Sequence, residues 1–154
     1  MYRTRTRVLM YDGFPLYVQE DLPVTPMRFA LAKVKAVTLF RKKVARYRQV
    51  FRMYATRKYK CKPSAVDFKP LSLMERSIRQ ARLCPLEPLV YGEADGWDIR
   101  VNSEMSMGFD ALVGTLLHEA LHCFCRVRGR WLPISGEHHC MQVLGEPKFL
   151  TSCH

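Results

Sequence analysis

The chain contains two histidines four positions apart, His118 and His122, and Glu119 directly follows the first of them. Residues four apart lie on one face of an α-helix, so the two imidazoles can bind a single metal ion. Zinc favours imidazole ligands, and a glutamate beside the first ligand is placed to deprotonate a metal-bound water. The pattern therefore predicts a zinc site in which His118 and His122 are ligands and Glu119 is the catalytic base.

The residues before this motif are strongly apolar and include Val113, Leu116 and Leu117. They predict a buried central helix that begins at residue 109 or 110, runs to residue 126 or 128 and stops at Gly129. Two histidines and a glutamate are costly to bury without partners. This cost favours a metal site over a structural histidine pair on a partly exposed helix.

A stable zinc site needs a third protein ligand from later in the chain. Residues 135–145 predict a short helix on which His138 would share a side with Met141 and Leu144. Because the two apolar residues would face the core, His138 is the favoured third ligand. The alternatives are His139, Glu137 and His154.

Shorter elements are predicted before the central helix. Residues 72–82 suit a helix in which Ser72 and Glu75 form a capping box. Residues 89–93 and 97–102 flank a turn and predict a β-hairpin. We expect strand 98–101 to lie at the edge of its sheet beside the central helix, where main-chain hydrogen bonds could hold an extended substrate peptide.

The excess positive charge of the chain is concentrated in one segment. The whole chain has 25 basic and 14 acidic residues, a net charge of +11. Thirteen of the basic residues and none of the acidic ones lie between Leu22 and Val66, which leaves 12 and 14, or −2, elsewhere. Thr25 and Pro26 suit a helix start, and apolar residues at steps of three and four predict one long amphipathic helix over residues 25–60.

Like charges on one helix repel each other, so this segment indicates an anionic partner, and DNA is the obvious candidate. The alternative is a solvated face that serves only solubility, although such faces normally mix both signs of charge. The residues expected to contact phosphates are Arg41, Lys42, Lys43, Arg46, Arg48 and Arg52.

The length of 154 residues suits one domain. No segment has the length and apolarity of a signal peptide or a membrane span, so we expect an intracellular protein of the nucleus or cytoplasm without a membrane partner. In that setting the six cysteines are expected to be free thiols. A second metal site built on Cys123 and Cys125 has unfavourable spacing.

From the strand at residues 99–102 to the short helix that carries His138, the order of motifs resembles the SprT-like zinc metallopeptidase domain. The resemblance covers about residues 71–147. It implies an α+β, zincin-like fold in which a β-hairpin or short sheet packs on the helix with the His-Glu-x-x-His motif. It also implies that His118, His122 and His138 bind Zn²⁺, that Glu119 is catalytic, and that the substrate is a protein or peptide.

The predicted organisation is a single domain with four parts. Residues 1–24 form N-terminal strands or a tail, 25–60 the long basic helix, 63–147 the metallopeptidase core and 148–154 a tail. SprT-like domains act on proteins bound or crosslinked to DNA, a role that the basic helix would suit. Candidates for an oxyanion partner are Tyr91, Arg126 and Arg128.

Two other functions compete with the peptidase interpretation. One is a non-catalytic nucleic-acid-binding module with a structural or vestigial zinc site. The other is a metal-dependent nuclease, which is disfavoured because phosphoryl-transfer sites use carboxylate-rich, magnesium-type coordination, whereas this site offers Glu119 as its only carboxylate.

Overall fold

The computed structural model of the protein describes residues 23–145 in full and, before them, only the backbone of residues 7–11 and 14–18. Those two segments are strands β1 (Arg7–Tyr11) and β2 (Phe14–Val18), which pair antiparallel, as in the strand alternative for residues 1–24. The predicted C-terminal tail, residues 148–154, lies outside the described residues. None of the helices found in the described part combines the length and the apolarity needed to cross a membrane.

Helix α1 (Pro26–Tyr59) confirms the predicted long basic helix. The Thr25 side chain caps it by accepting a hydrogen bond from the Arg28 amide at 3.2 Å, and Lys60 ends it in the left-handed conformation. The apolar stripe of α1 is buried, with Phe40 and Phe51 fully enclosed. This helix packs against the three shorter helices α2, α3 and α4, so it forms the centre of the fold.

Helix α2 (Leu71–Arg79) does not have the predicted capping box. Pro70 occupies the N-cap position without a side-chain hydrogen bond, and Ser72 lies inside the helix. The Glu75 carboxylate instead accepts a hydrogen bond at 2.8 Å from Arg41 on α1. The predicted box is therefore wrong, because a tertiary ion pair takes the glutamate that would have closed it.

Three short strands form a mixed sheet in the order β4-β6-β5. Strands β5 (Gly92–Asp95) and β6 (Asp98–Asn102) form the predicted hairpin, and β4 (Arg82–Cys84) pairs parallel with β6 on its other side. Strand β4 is also the reason that α2 ends earlier than expected. The prediction that residues 98–101 form an edge strand is wrong, since β6 is central and the strand that contacts α3 most is β5.

Helix α3 (Phe109–His122) ends several residues before the predicted position. The chain leaves the helix at Cys123 and forms β7 (Cys125–Val127), which pairs with β3 (Val66–Phe68). The cause is tertiary: Phe124 is fully buried, and its ring makes edge contacts with Phe40 and Phe51 of α1.

The β7 strand continues through a tight turn into β8 (Arg130–Trp131), the outer strand of the β3-β7-β8 sheet. Arg128 and Gly129 both have positive φ values, of 51° and 78°, as the two central residues of a type I′ hairpin turn do. Gly129, predicted to stop the central helix, therefore belongs to this turn.

Helix α4 (Ile134–Leu144) follows, and Gly145 in the left-handed conformation caps its C-terminus at the predicted place. The described part of the chain is thus an α+β structure of four helices and small sheets, as predicted.

Candidate metal centre

The two histidines of the His-Glu-x-x-His motif project from the last two turns of α3. The helix positions them firmly, because every residue from Ala111 to Leu121 is buried. The His118 side chain is fully enclosed, and its Nε2 lies 3.1 Å from Nε2 of His122. Two nitrogens bound to one zinc ion at about 2.0–2.1 Å in tetrahedral geometry would be about 3.3 Å apart. The spacing of this pair therefore already suits a shared cation.

His138 on α4 is the third member of the group. Its ring centroid lies 5.4 Å from that of His118 and 5.1 Å from that of His122. One ligand nitrogen from each of the three residues can be chosen so that all lie within 4.8 Å of one another. The three histidines are thus close enough to hold a metal ion. They are the one such group of His, Cys, Asp or Glu within residues 23–145.

The alternative third ligands occupy different positions. His139 is exposed on the other side of α4, where its ring lies 5.2 Å from the ring of Tyr54. His154 lies outside the described residues. Glu137 is close to the group, but its carboxylate contacts Nδ1 of His122, whereas the nitrogen that faces His118 is Nε2.

A contact between Glu137 and His122 orients one of the three candidate ligands. A Glu137 carboxylate oxygen lies 2.9 Å from His122 Nδ1, and the two side chains are 3% and 7% exposed. A carboxylate at Nδ1 holds the proton there and leaves Nε2 with a lone pair that faces His118. Metal-bound histidines in proteins commonly have such a partner, which fixes the ring orientation.

Burial favours the uncharged form of both groups. It lowers the pKa of His122 to about 4, so the imidazole is neutral at pH 7, as a metal ligand must be. It also raises the pKa of Glu137 to about 9. An adjacent cation would favour the ionised carboxylate, because opposite charges close together stabilise each other.

Glu119 is fully buried and lies against strand β5. Gly92, the first residue of that strand, has no side chain to separate the two elements. A Cβ atom added to Gly92 would lie 3.1 Å from Glu119 Cγ, 2.8 Å from Thr115 Cγ2 and 3.0 Å from the Arg100 carbonyl oxygen. The glycine thus allows a sheet edge to pass directly beside the predicted catalytic carboxylate. Nothing in the sequence alone pointed to Gly92 or Thr115.

The predicted oxyanion candidates have different surroundings. Tyr91 is buried and immediately precedes Gly92, so of the three it is the one joined to the strand beside Glu119. The Arg126 guanidinium lies 4.5 Å from the centre of the Trp131 ring, on the β7-β8 hairpin. Arg128 is exposed in the turn of the same hairpin.

The cysteines do not extend the candidate site. The five described cysteines are free, and the predicted pair does not share a helix, because Cys123 is the C-cap of α3 and Cys125 begins β7. Burial raises the pKa of Cys123 and of Cys140 to about 12 and raises that of Cys125 as well. These thiols therefore resist forming the thiolate that zinc binds.

The predicted phosphate-contacting residues divide into groups around α1. The Arg41 guanidinium pairs with Glu75, and Arg52 lies 5.2 Å from the centre of the Phe68 ring. Arg46 is exposed and donates a hydrogen bond to Gln49 at 3.0 Å. The remaining positions are an exposed Lys42 and half-buried Lys43 and Arg48. Helical spacing places Lys42, Lys43 and Arg46 on one side of the helix and Arg41, Arg48 and Arg52 on another.

Comparison with known proteins gives no further evidence on this site. No family model matches the chain, and neither the curated proteins nor the solved structures include a significant match to it.

Proposed function

We propose that this protein is a zinc-dependent metallopeptidase of the SprT-like type, with His118, His122 and His138 as zinc ligands and Glu119 as the general base. One observation carries the proposal. Three histidines from two helices converge within ligand distance of one another, and a buried glutamate directly follows one of them on the same helix.

The donor set fits zinc better than a hard cation. Three neutral imidazoles, one of them backed by the Glu137 carboxylate, are typical of catalytic zinc sites, whereas magnesium and calcium favour oxygen ligands. When bound, zinc supplies a Lewis acid that polarises the scissile carbonyl and lowers the pKa of a water molecule.

The protein's own residues supply the proton transfer. Glu119 accepts a proton from the attacking water and passes it to the amine that leaves when the peptide bond breaks. Glu119 is fully buried one position after the ligand His118, so its carboxylate is shielded from bulk water. Glu137 holds the orientation of His122 and takes no part in the proton transfer.

Strand β5 is the proposed docking edge for the substrate. It is an outer strand of the β4-β6-β5 sheet and runs past Glu119 at Gly92. An extended peptide that pairs with β5 would be held by main-chain hydrogen bonds, largely independently of its side chains. This arrangement would admit unfolded protein segments of varied sequence.

Metal removal and replacement test the proposal. We expect the purified protein to contain one zinc ion and to cleave a denatured protein substrate. A chelator should abolish cleavage, and added zinc should restore it. A protein that binds zinc and never cleaves unfolded protein would instead be the non-catalytic nucleic-acid-binding module.

We further propose that the peptidase acts on proteins associated with nucleic acid, which α1 would contact through its basic surface. The specific support is the run of thirteen cations without an acidic residue between Leu22 and Val66. Arg41 is a poor phosphate contact because Glu75 already neutralises it. The proposed contacts are therefore centred on Lys42, Lys43 and Arg46, which share one side of the helix.

Salt dependence tests this second proposal separately. Each neutralised phosphate adds about 0.9 to the slope of log affinity for duplex DNA against log salt concentration. Changing Lys42, Lys43 and Arg46 to Glu should therefore make the slope shallower by up to about 3. An unchanged slope would rule out DNA contact through these residues and leave the peptidase proposal intact.

A further inference from the structure

A cleft runs between α1 and α4 on the side of α4 that faces away from the three histidines. It encloses about 390 Å³, within the range of roughly 300–1,000 Å³ found for sites that enclose a ligand. Its apolar lining includes Val50, Met53 and Val143. Met53 and Val143 are 43% and 55% exposed, so this surface is open to solvent.

One wall of the cleft is aromatic and held in place. The rings of Tyr54 and His139 lie 5.2 Å apart at an angle of 35°. The Tyr54 ring also lies against Gly136 of α4, where an added Cβ would be 2.9 Å from the ring. The close contact with Gly136 fixes the ring, so the wall is preformed.

The charged residues that the structure describes at the rim of the cleft are all basic. Arg46, Arg57 and Lys58 line it, and no acidic residue within residues 23–145 does. Within the described residues, Arg57 and Lys58 form neither an ion pair nor a side-chain hydrogen bond. The carboxylates of a bound ligand could therefore pair with Arg57 and Lys58 without breaking an existing ion pair or side-chain hydrogen bond.

We propose that the α1–α4 cleft is a docking site for an acidic peptide segment of a partner protein, one that places an apolar side chain between carboxylates. The apolar side chain would occupy the surface of Val50, Met53 and Val143, and the carboxylates would pair with Arg57 and Lys58. Methionine-containing surfaces adapt readily to apolar side chains of different shape.

A nucleic-acid base fits the same cleft less well. Its edges carry hydrogen-bonding groups, and the aliphatic surface of Val50, Met53 and Val143 offers them no partner. A polar group buried without a partner costs about 1–3 kcal/mol. The Tyr54 ring is also already in contact with the His139 ring. The cleft therefore favours a peptide, and the proposal does not depend on peptidase activity or on DNA binding.

Fluorescence anisotropy at physiological salt tests the proposal with the full chain. The probes are labelled glutamate-rich peptides with Leu, Met, Phe or Trp at the centre, each compared with a peptide that has Ser there. We expect at least one apolar-centred peptide to bind and its Ser counterpart to bind at least about tenfold more weakly, a difference of about 1.4 kcal/mol.

Two pairs of variants locate the binding. Arg57→Glu combined with Lys58→Glu changes the rim, and Lys35→Glu combined with Arg76→Glu makes the same charge change away from the cleft, on α1 and α2. Met53→Asp changes the lining, and Leu31→Asp is its control at another exposed apolar position of α1. All of these positions are exposed, so folding should be preserved. The cleft variants should weaken binding at least tenfold and the controls less than twofold, because salt screens distant charges.

Several results would overturn the proposal. One is that no peptide of the set binds, and another is that the control variants weaken binding as much as the cleft variants. Displacement of the peptide by single-stranded oligothymidine would make the cleft a nucleic-acid site. Self-association that the cleft variants abolish would make it a contact between copies of this chain.

Discussion

The close approach of β5 to α3 makes Gly92→Ala a sharp test of the site geometry. Gly92 lies in a strand, in a conformation that alanine also adopts, so the main effect of the substitution is crowding. The new Cβ would lie 2.8 Å from Thr115 Cγ2 and 3.1 Å from Glu119 Cγ. Ordinary van der Waals contact begins at about 3.4–3.5 Å.

The magnitude follows from these distances. Glu119 Cγ must move by about 0.3 Å, and Thr115 Cγ2 by about 0.6 Å, to restore ordinary contact. Overpacking of this kind costs about 1–3 kcal/mol of stability, and a displacement of 1 Å at a reacting group can cost about 100-fold in rate. We therefore expect a folded protein with normal zinc content and a kcat reduced about tenfold.

A second substitution provides the control. Thr115→Ser removes the crowded methyl group and keeps the hydroxyl, which donates a hydrogen bond to the Ala111 carbonyl at 2.7 Å. Gly92→Ala combined with Thr115→Ser should recover part of the activity that Gly92→Ala loses. The recovery should be incomplete, because the Arg100 carbonyl oxygen still lies 3.0 Å from the new Cβ. Thr115→Ser alone should be nearly as active as the parent. Parental activity in Gly92→Ala would refute the proposed contact, as would the absence of any rescue.

Two further predictions concern groups outside the ligand set. Glu137→Gln should weaken zinc binding about 10- to 100-fold, measured by competition with a chelating dye, because His122 loses its carboxylate partner at Nδ1. The control Glu87→Gln, at an exposed position, should bind zinc as tightly as the parent. Equal zinc affinities of the parent and Glu137→Gln would show that Glu137 does not support the metal site. Glu75 has a pKa below its usual 4.5, first because it accepts a hydrogen bond from Arg41. Its contribution to stability is therefore present above pH 4.5 and lost as the pH falls through the lowered pKa. The difference in melting temperature between the parent and Glu75→Gln should accordingly shrink towards acidic pH. A difference that does not change with pH would contradict the ion pair.

The sequence predicted those features that local patterns determine. Thr25 and Pro26 marked the start of α1, Gly145 marked the end of α4, and the turn before Trp97 marked the β5-β6 hairpin. His138 was favoured because Met141 would face the core, and Met141 is indeed fully buried.

The features that sequence reasoning missed depend on partners distant in the chain. Helix α3 ends early because Phe124 is needed in the core between α1 and β3. Glu75 is not a capping residue because Arg41, 34 positions away, takes its carboxylate. Glu137 is one of the alternative ligands by sequence, and only the packing of α4 on α3 shows that it faces Nδ1 of His122, the nitrogen on the far side of the ring from His118.

The most direct test of the central claim is the rate of protein cleavage by Glu119→Gln. The substitution keeps the volume of a fully buried side chain and removes the group proposed to accept the proton. We predict that the variant binds one zinc ion, unfolds cooperatively, and cleaves a denatured protein about 10²–10⁴-fold more slowly than the parent. A variant that binds zinc, unfolds like the parent and cleaves as fast as the parent would contradict the assignment of Glu119 as the base and, with it, the proposed peptidase mechanism.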